Sequence, residues 1–209
     1  RVLFRSVIAA WFFFAALSCR APRGLDRTGV WLATGLLAVT PLFWMCGLRP
    51  MSDMPGLALT MTAQALLLGG VGPRRLLLGA LVGGVATGIR VQSAVLVVPV
   101  LLVVLGEERR SGLVRSTVSA MLAFAAGCVA WALPLVVATG GIKAYMAALH
   151  SQAGEDFAWV DMLWSNPTPR HIAVALQQTF VLPWASERLA SVVGAIAAVG
   201  GAVMVVRGR

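Results

Sequence analysis

An acidic residue opens one of the apolar segments, within the run Arg49-Pro-Met-Ser-Asp-Met-Pro-Gly56. An ionisable side chain at the edge of a membrane helix is costly, so a functional role for Asp53 is one interpretation. In that role Asp53 points into a cavity, where it binds a metal or orients a basic partner. In the alternative, Ser52 or Asp53 caps the helix by accepting first-turn N–H groups, and the helix dipole favours the charge. Arg49, in the same run, is a further candidate for binding substrate.

A basic residue, Arg90, lies between two apolar stretches in Gly88-Ile-Arg-Val-Gln92. A guanidinium group matches the oxygens of a phosphate in a bidentate way, so Arg90 is a candidate phosphate clamp. Gln92 adds a hydrogen bond to the same ligand in this interpretation. The alternative is that Arg90 snorkels to the headgroups at the outer face of a bilayer.

Two further polar residues, Lys143 and His150, are spaced to share one face of an amphipathic helix. They are candidates for binding substrate, with a solvated polar face as the alternative. Glu155, Asp156 and Asp161 form a loose acidic cluster, and paired carboxylates can bind a divalent cation. A divalent cation is therefore an open alternative to having no cofactor, and no metal ligands are assigned.

The elements that must position these residues are strongly apolar, since 59% of the chain is hydrophobic and only 12% is charged. Soluble domains have about 25% charged residues. A helix needs about 20 residues to span a bilayer, and lipid-exposed backbone must satisfy its own hydrogen bonds. We therefore predict an all-α fold, a polytopic transmembrane helix bundle of about seven spans with short external interfacial helices. The predicted spans are Val7–Ser18, Val30–Gly47, Met54–Val71, Leu76–Ile89, Val91–Leu105, Thr117–Ala138 and Leu189–Val206.

The net charge of +9 is unevenly distributed among the loops. If Leu76–Ile89 and Val91–Leu105 span separately instead of forming one long helix, one side carries ten basic and three acidic residues. The other side then carries five of each. The positive-inside rule places the Arg-rich loops and the C-terminus in the cytoplasm. Because no basic patch lies on a soluble element, nucleic acid is excluded as a partner.

The longest connection between predicted spans is Gly140–Arg188. It contains an amphipathic stretch, a second short helix predicted over His171–Val181, and tryptophans suited to the headgroup level. We expect residues 140–188 to lie on the outer membrane surface. One back-translation of Arg1–Ser6 resembles the end of a common sequencing adapter, so we expect residues 1–6 to be an artefact. Residues 7–209 are then one transmembrane domain that begins with a truncated helix.

Glycine and proline positions predict how the helices meet and bend. The pairs Gly79/Gly83 and Gly84/Gly88 have the small-xxx-small spacing that lets a neighbouring helix approach closely. Pro41, Pro99 and Pro134 lie inside predicted spans, where proline kinks a helix.

The order of these features resembles bacterial glycosyltransferases of the GT-C superfamily, such as family 39 and the polyprenyl-phosphate-mannose-dependent mannosyltransferases. RPMSDMPGLALTMTAQALLLGG resembles the region where an S-D/E-x-P element opens a membrane helix in that superfamily. LLLGALVGGVATGIRVQSAVLVVPVLLVV is similar to its glycine-rich helix, basic residue and proline-containing helix. WALPLVVATGGIKAYMAALHSQ looks like a later span that exits into an external helix. The resemblance covers roughly residues 30–152.

The resemblance implies an enzyme that moves a sugar from a polyprenyl-phosphate carrier to an acceptor at the outer face of the cytoplasmic membrane. It also implies an acidic pair in an external loop before Val7, so the catalytic residues are unknown within this chain. The residues carried over are Asp53 and, as a contact of the carrier phosphate, Arg90. A transporter or flippase subunit and a non-catalytic assembly subunit are the alternative functions, and the oligomeric state is left open.

Overall fold

The computed structural model describes residues 2–20, 26–48, 53–70, 72–107, 113–157 and 168–206. The regular structure in these ranges is helical, which confirms the all-α prediction for them. A short 3-10 helix, Leu182–Trp184, lies between the last two α-helices. In chain order the α-helices are α1 (Val2–Arg20), α2 (Arg27–Val39), α3 (Pro41–Leu48), α4 (Asp53–Leu68), α5 (Pro73–Ile89), α6 (Ser93–Glu107), α7 (Leu113–Ala138), α8 (Ile142–Phe157), α9 (Pro169–Phe180) and α10 (Glu187–Val206).

Local sequence signals explain several helix ends. The Asp26 carboxylate caps α2 by accepting a hydrogen bond of 2.7 Å from the Gly29 N–H. The Thr168 hydroxyl caps α9 in the same way, at 3.2 Å from the His171 nitrogen. Gly140 and Gly141 separate α7 from α8 with φ angles of +86° and +110°, a conformation that glycine adopts without a Cβ clash.

The number of helices able to cross a membrane alone is smaller than the seven predicted spans. Among the described residues, Val114–Ala138 is the one helix that is long and apolar enough by itself. Two bent helix pairs raise the number to three if each pair counts as one span. Helices α4, α5 and α6 have only 16, 17 and 15 residues, which is short of the roughly 20 that a bilayer requires. One to three candidate spans are therefore what length and composition support.

Two predicted breaks in the helices are confirmed. The segment predicted as the single span Val30–Gly47 is divided into α2 and α3, which are bent by 56° where Thr40 meets Pro41. The proline ring explains the bend because it removes a backbone donor and crowds the preceding turn. Pro99 and Pro134 lie inside α6 and α7, and both helices continue through them without a break. Likewise α5 ends at Ile89 and α6 begins at Ser93, so these stretches are two helices and not one long helix.

Glycines allow α5 to lie very close to its neighbours. A Cβ atom on Gly84 would lie 2.1 Å from the carbonyl oxygen of Phe124, and one on Gly127 would lie 2.2 Å from that of Leu81. Gly88 faces Trp131 of α7, whereas Gly79 and Gly83 face α4 and α6 through Leu67 and Val97. The predicted close approach of helices at both glycine pairs is therefore confirmed, and it uses two opposite faces of α5.

The interior of the bundle is a cluster of small and branched side chains from α4, α5, α6 and α7. Its buried members are Ala63, Leu67, Leu76, Ala80, Val97, Leu101, Val104, Leu105 and Ala120. Many large apolar side chains are exposed around this cluster, among them Leu32, Val95, Leu122, Val137 and Val199. An apolar surface of this extent marks contact with a membrane or another protein.

The helix directions divide the bundle into two ends. At the first, which we call the Asp53 end, α4 begins, α5 ends and α6 begins. At the second, which we call the Arg75 end, α4 ends and α5 begins. Because α7 runs parallel to α5, with Gly127 beside Gly84 and Trp131 beside Gly88, it begins at the Arg75 end.

Candidate functional site

The main feature at the Asp53 end is an ion pair between Nη1 of Arg90 and Oδ1 of Asp53. Arg90 lies in extended backbone between α5 and α6, with its N–H bonded to the Ala86 carbonyl at 2.9 Å. Its own carbonyl accepts from the Ser93 nitrogen, also at 2.9 Å. Asp53 lies in the first turn of α4, where the helix dipole favours a negative charge. The backbone of two helices therefore fixes the base of each side chain.

A glycine on α4 provides the space for the Arg90 side chain. A Cβ atom on Gly56 would lie 3.3 Å from Cβ of Arg90 and 3.8 Å from Oγ of Ser93. The aliphatic part of Arg90 can thus lie against the α4 backbone, while the guanidinium reaches Asp53 one turn earlier. The two side chains are 39% and 27% exposed, so the pair remains accessible from outside the bundle.

The ion pair borders a cavity of about 380 Å³ that is mostly apolar. Helices α2, α3, α4 and α6 form its walls, and Gln92 lies at the α5–α6 link beside Arg90. The lining residues are Leu37, Thr40, Leu42, Phe43, Cys46, Asp53, Met54, Leu57, Thr60, Arg90, Gln92, Ser93 and Leu96. A pocket with apolar walls and a few polar groups on one side is typical of small-molecule sites.

Thr60 is a polar group in the α4 wall of this cavity. It is 2% exposed, and its hydroxyl has no hydrogen-bond partner among the described residues. Thr60 follows Asp53 by two helical turns on the same face of α4, so it lies about 10 Å deeper along the helix. An unsatisfied buried hydroxyl costs free energy.

Three of the six predicted substrate-binding residues, Asp53, Arg90 and Gln92, are brought together here. Lys143 and His150 lie on α8, where both are exposed, and neither lines this cavity. Arg49 lies outside the described residues.

The acidic cluster predicted as a cation site also falls largely outside the description. Asp161 lies outside the described residues, and so do the side chains of Glu155 and Asp156. In the ranges that the structure does describe, no group of three or more His, Cys, Asp or Glu residues is placed to hold a metal ion.

Sequence reasoning did not single out Thr60, Ser93, Phe43 or Cys46, which also line the cavity. The sequence did contain a signal for Thr60, because residues 53, 56 and 60 follow the i, i+3, i+7 spacing of one helix face. Phe43 and Cys46 carry no comparable signal. They lie on α3, which is bent from α2 by 56°.

The arrangement can exchange one anion for another. A guanidinium group has five N–H donors in a planar fork, and a carboxylate oxygen occupies only part of them. A phosphate at the cavity mouth could share or replace the Asp53 carboxylate, while an apolar chain would fit the cavity walls. The geometry therefore suits a ligand with an anionic group at one end and hydrocarbon at the other.

A comparison with protein-family models, curated proteins and solved structures finds no match to the chain. The class of protein is thus defined by the fold and the site. It is an all-helical chain, in the described ranges, with one to three helices that could cross a membrane. Its particular feature is an ion pair at the mouth of an apolar cavity.

Proposed function

We propose that this protein is a multi-pass membrane glycosyltransferase of the GT-C type. In this proposal it moves a sugar from a polyprenyl-phosphate carrier to an acceptor at the outer face of a bacterial cytoplasmic membrane. The observation that carries the proposal is the Arg90–Asp53 ion pair beside an apolar cavity. This combination suits a phosphate that is joined to a long hydrocarbon chain.

The proposed arrangement in the bilayer has about seven spans, with α8 and α9 as external interfacial helices. Short helices such as α4, α5 and α6 can contribute to such a bundle because neighbouring helices cover them. Four of the described arginines belong to the Arg75 end, opposite the ion pair, together with the carboxylates Asp26 and Glu107; these arginines are Arg27, Arg74, Arg75 and Arg115. The positive-inside rule then favours a cytoplasmic Arg75 end and C-terminus, with the Asp53 end at the outer face.

In the proposed reaction, an acceptor oxygen forms a bond to the anomeric carbon while the bond from that carbon to the phosphate oxygen breaks. The phosphate leaves with the electron pair, and the Arg90 guanidinium stabilises its charge. Asp53 holds the guanidinium at the cavity mouth until the phosphate arrives, and Gln92 offers a further hydrogen bond. The acceptor proton passes to a general base, which is not assigned among the described residues.

The proposal is tested by measuring polyprenyl-phosphate binding to the full-length protein in liposomes. Arg90→Ala should raise the dissociation constant by about tenfold or more, which corresponds to about 1.4 kcal/mol. Arg90→Lys should bind with intermediate affinity because lysine keeps the charge but lacks the planar fork. Arg188→Ala is the matched control, since Arg188 is exposed on α10 and does not line the cavity. Unchanged binding in Arg90→Ala would contradict the proposed phosphate contact.

A second assay separates the enzyme from its alternatives. Liposomes with a labelled polyprenyl-phosphate sugar and a membrane extract as the source of acceptor should yield labelled acceptor. If the labelled lipid instead crosses the bilayer without loss of its sugar, the transporter or flippase function is favoured. If the labelled sugar is not transferred and the labelled lipid does not cross the bilayer, a non-catalytic assembly subunit is favoured. This holds where the wild type binds polyprenyl phosphate and Arg90→Ala binds it more weakly.

A further inference from the structure

A second cavity lies at the Arg75 end, between α1 and α4. Its volume is about 460 Å³, and it is formed by Phe12, Ala16, Cys19, Leu66, Gly69 and Arg75 among others. Cys19 lies near its charged end and Phe12 lies two turns further along α1, so the groove extends about 10 Å along the helix. It shares no lining residue with the cavity beside Asp53. The function proposed above does not use it.

Arg75 is held at the mouth of this groove by the end of α4. Its Nη1 donates a hydrogen bond to the carbonyl oxygen of Gly69, one of the acceptors left free at a helix C-terminus. A Cβ atom on Gly70 would lie 3.0 Å from this nitrogen, and Gly70 has a φ of +140°. Glycine at position 70 therefore lets the guanidinium lie against the backbone beside the groove.

The positive charge at this mouth is not neutralised within the described part of the chain. Neither Arg75 nor its exposed neighbour Arg74 forms an ion pair with a described carboxylate. Arg27 and Arg115 add charge of the same sign to this end, and Asp26 and Glu107 are the described carboxylates there. The groove behind Arg75 is lined by small and apolar side chains, including Ala15 and Ala65. A fixed cation at the mouth of an apolar groove is complementary to an anionic lipid.

We propose that this groove binds an anionic phospholipid. The lipid phosphate accepts hydrogen bonds from the free donors of Arg75, and an acyl chain lies along α1 and α4 towards Phe12. A net negative headgroup is needed, since the charge of Arg75 has no ion pair with a described carboxylate and a zwitterionic headgroup adds no net charge. This inference requires only that the bundle lies in a bilayer, and it is independent of the glycosyltransferase proposal.

Native mass spectrometry of the detergent-purified full-length protein tests the proposal. Phosphatidylglycerol should be retained about fivefold more than phosphatidylcholine, the factor expected for the attraction of one basic residue. Arg75→Ala should reduce retention of phosphatidylglycerol to the level of phosphatidylcholine, and Arg75→Lys should keep part of it. Arg115→Ala, which removes an arginine from the same end but outside the groove, should leave it unchanged. Equal retention of the two lipids, or undiminished retention by Arg75→Ala, would overturn the inference.

A second pair of variants tests the groove itself, including the case in which Arg75→Ala does not fold. Ala15→Phe should displace the acyl chain and lower retention of phosphatidylglycerol to the same level. Leu17→Phe is the control. It adds bulk to an exposed position of α1 that does not line the groove. If Ala15→Phe binds phosphatidylglycerol as well as the wild type does, Arg75 only caps α4 and the proposed site is wrong.

Discussion

Arg90, in the link between α5 and α6, forms an ion pair with Asp53 in the first turn of α4. The two residues come from different helix ends, and Gly56 makes room for the arginine between them. Either residue alone has an ordinary structural explanation, as a snorkelling arginine or a helix-capping aspartate. Together, at the mouth of a cavity, they form a site with a defined cation.

The ion pair should contribute modestly to stability. Because both side chains are partly exposed, solvent screening limits the coupling to about 1 kcal/mol. We expect Asp53→Asn and Arg90→Gln each to lower the midpoint of thermal unfolding in detergent, and the double variant to lose less than the two single losses together. Added salt should weaken the coupling. Strictly additive single effects would show that the pair contributes no stability.

The buried hydroxyl of Thr60 should be replaceable at no cost to folding. Thr60→Val keeps the shape and removes an unsatisfied polar group, so we expect the unfolding free energy to stay equal or to rise by about 1 kcal/mol. The control is Thr62→Val, because the Thr62 hydroxyl donates to the Ala58 carbonyl at 2.7 Å. Chemical denaturation of both variants in detergent compares them. A larger loss for Thr60→Val than for Thr62→Val would mean that Thr60 has a partner.

The contact between α5 and α7 should be intolerant of a single added methyl group. In Gly84→Ala the new Cβ would lie 2.1 Å from a backbone oxygen, so the helices must separate, at a cost of about 1–3 kcal/mol. In Gly194→Ala the new atom meets nothing within 4 Å, and alanine gains up to about 1 kcal/mol of helix propensity. Thermal unfolding of the two variants should thus change in opposite directions. Equal effects would contradict the close approach.

The orientation in the membrane can be read from two natural cysteines. Cys46 lines the cavity at the Asp53 end, whereas Cys19 lines the groove at the Arg75 end. We expect a membrane-impermeant maleimide to label Cys46 in intact cells and Cys19 only after the membrane is opened. Cys46→Ser and Cys19→Ser identify each product by mass spectrometry. Labelling of Cys19 alone in intact cells would show that the topology is the reverse of the proposed one, and it would refute an outward-facing Asp53 site.

Several features of the fold follow directly from local chemistry. Pro41 predicts the break between α2 and α3. The spacing of Gly79, Gly83, Gly84 and Gly88 predicts close helix contacts. These are short-range effects of backbone geometry and side-chain size, so they do not depend on which helices become neighbours.

The length of the helices was less predictable. Apolar runs such as Met54–Val71 continue beyond the helix that forms, since α4 ends at Leu68 and the glycines that follow do not extend it. Hydropathy measures how strongly a side chain favours an apolar environment over water. The end of a helix is instead set by where its backbone hydrogen bonds stop. The predicted seven spans therefore exceed the one to three that helix length supports.

The sequence by itself determined an all-helical, strongly apolar chain with its arginines concentrated in particular loops, because composition and period act locally. Only the tertiary structure decided that Arg90 meets Asp53 while Lys143 and His150 lie elsewhere. It also decided that Thr60, Phe43 and Cys46 share the cavity, and that Arg75 faces a separate groove. The physical reason is that such contacts depend on which helices are adjacent and on their relative direction. Long-range packing sets both, and no local pattern in the chain records them.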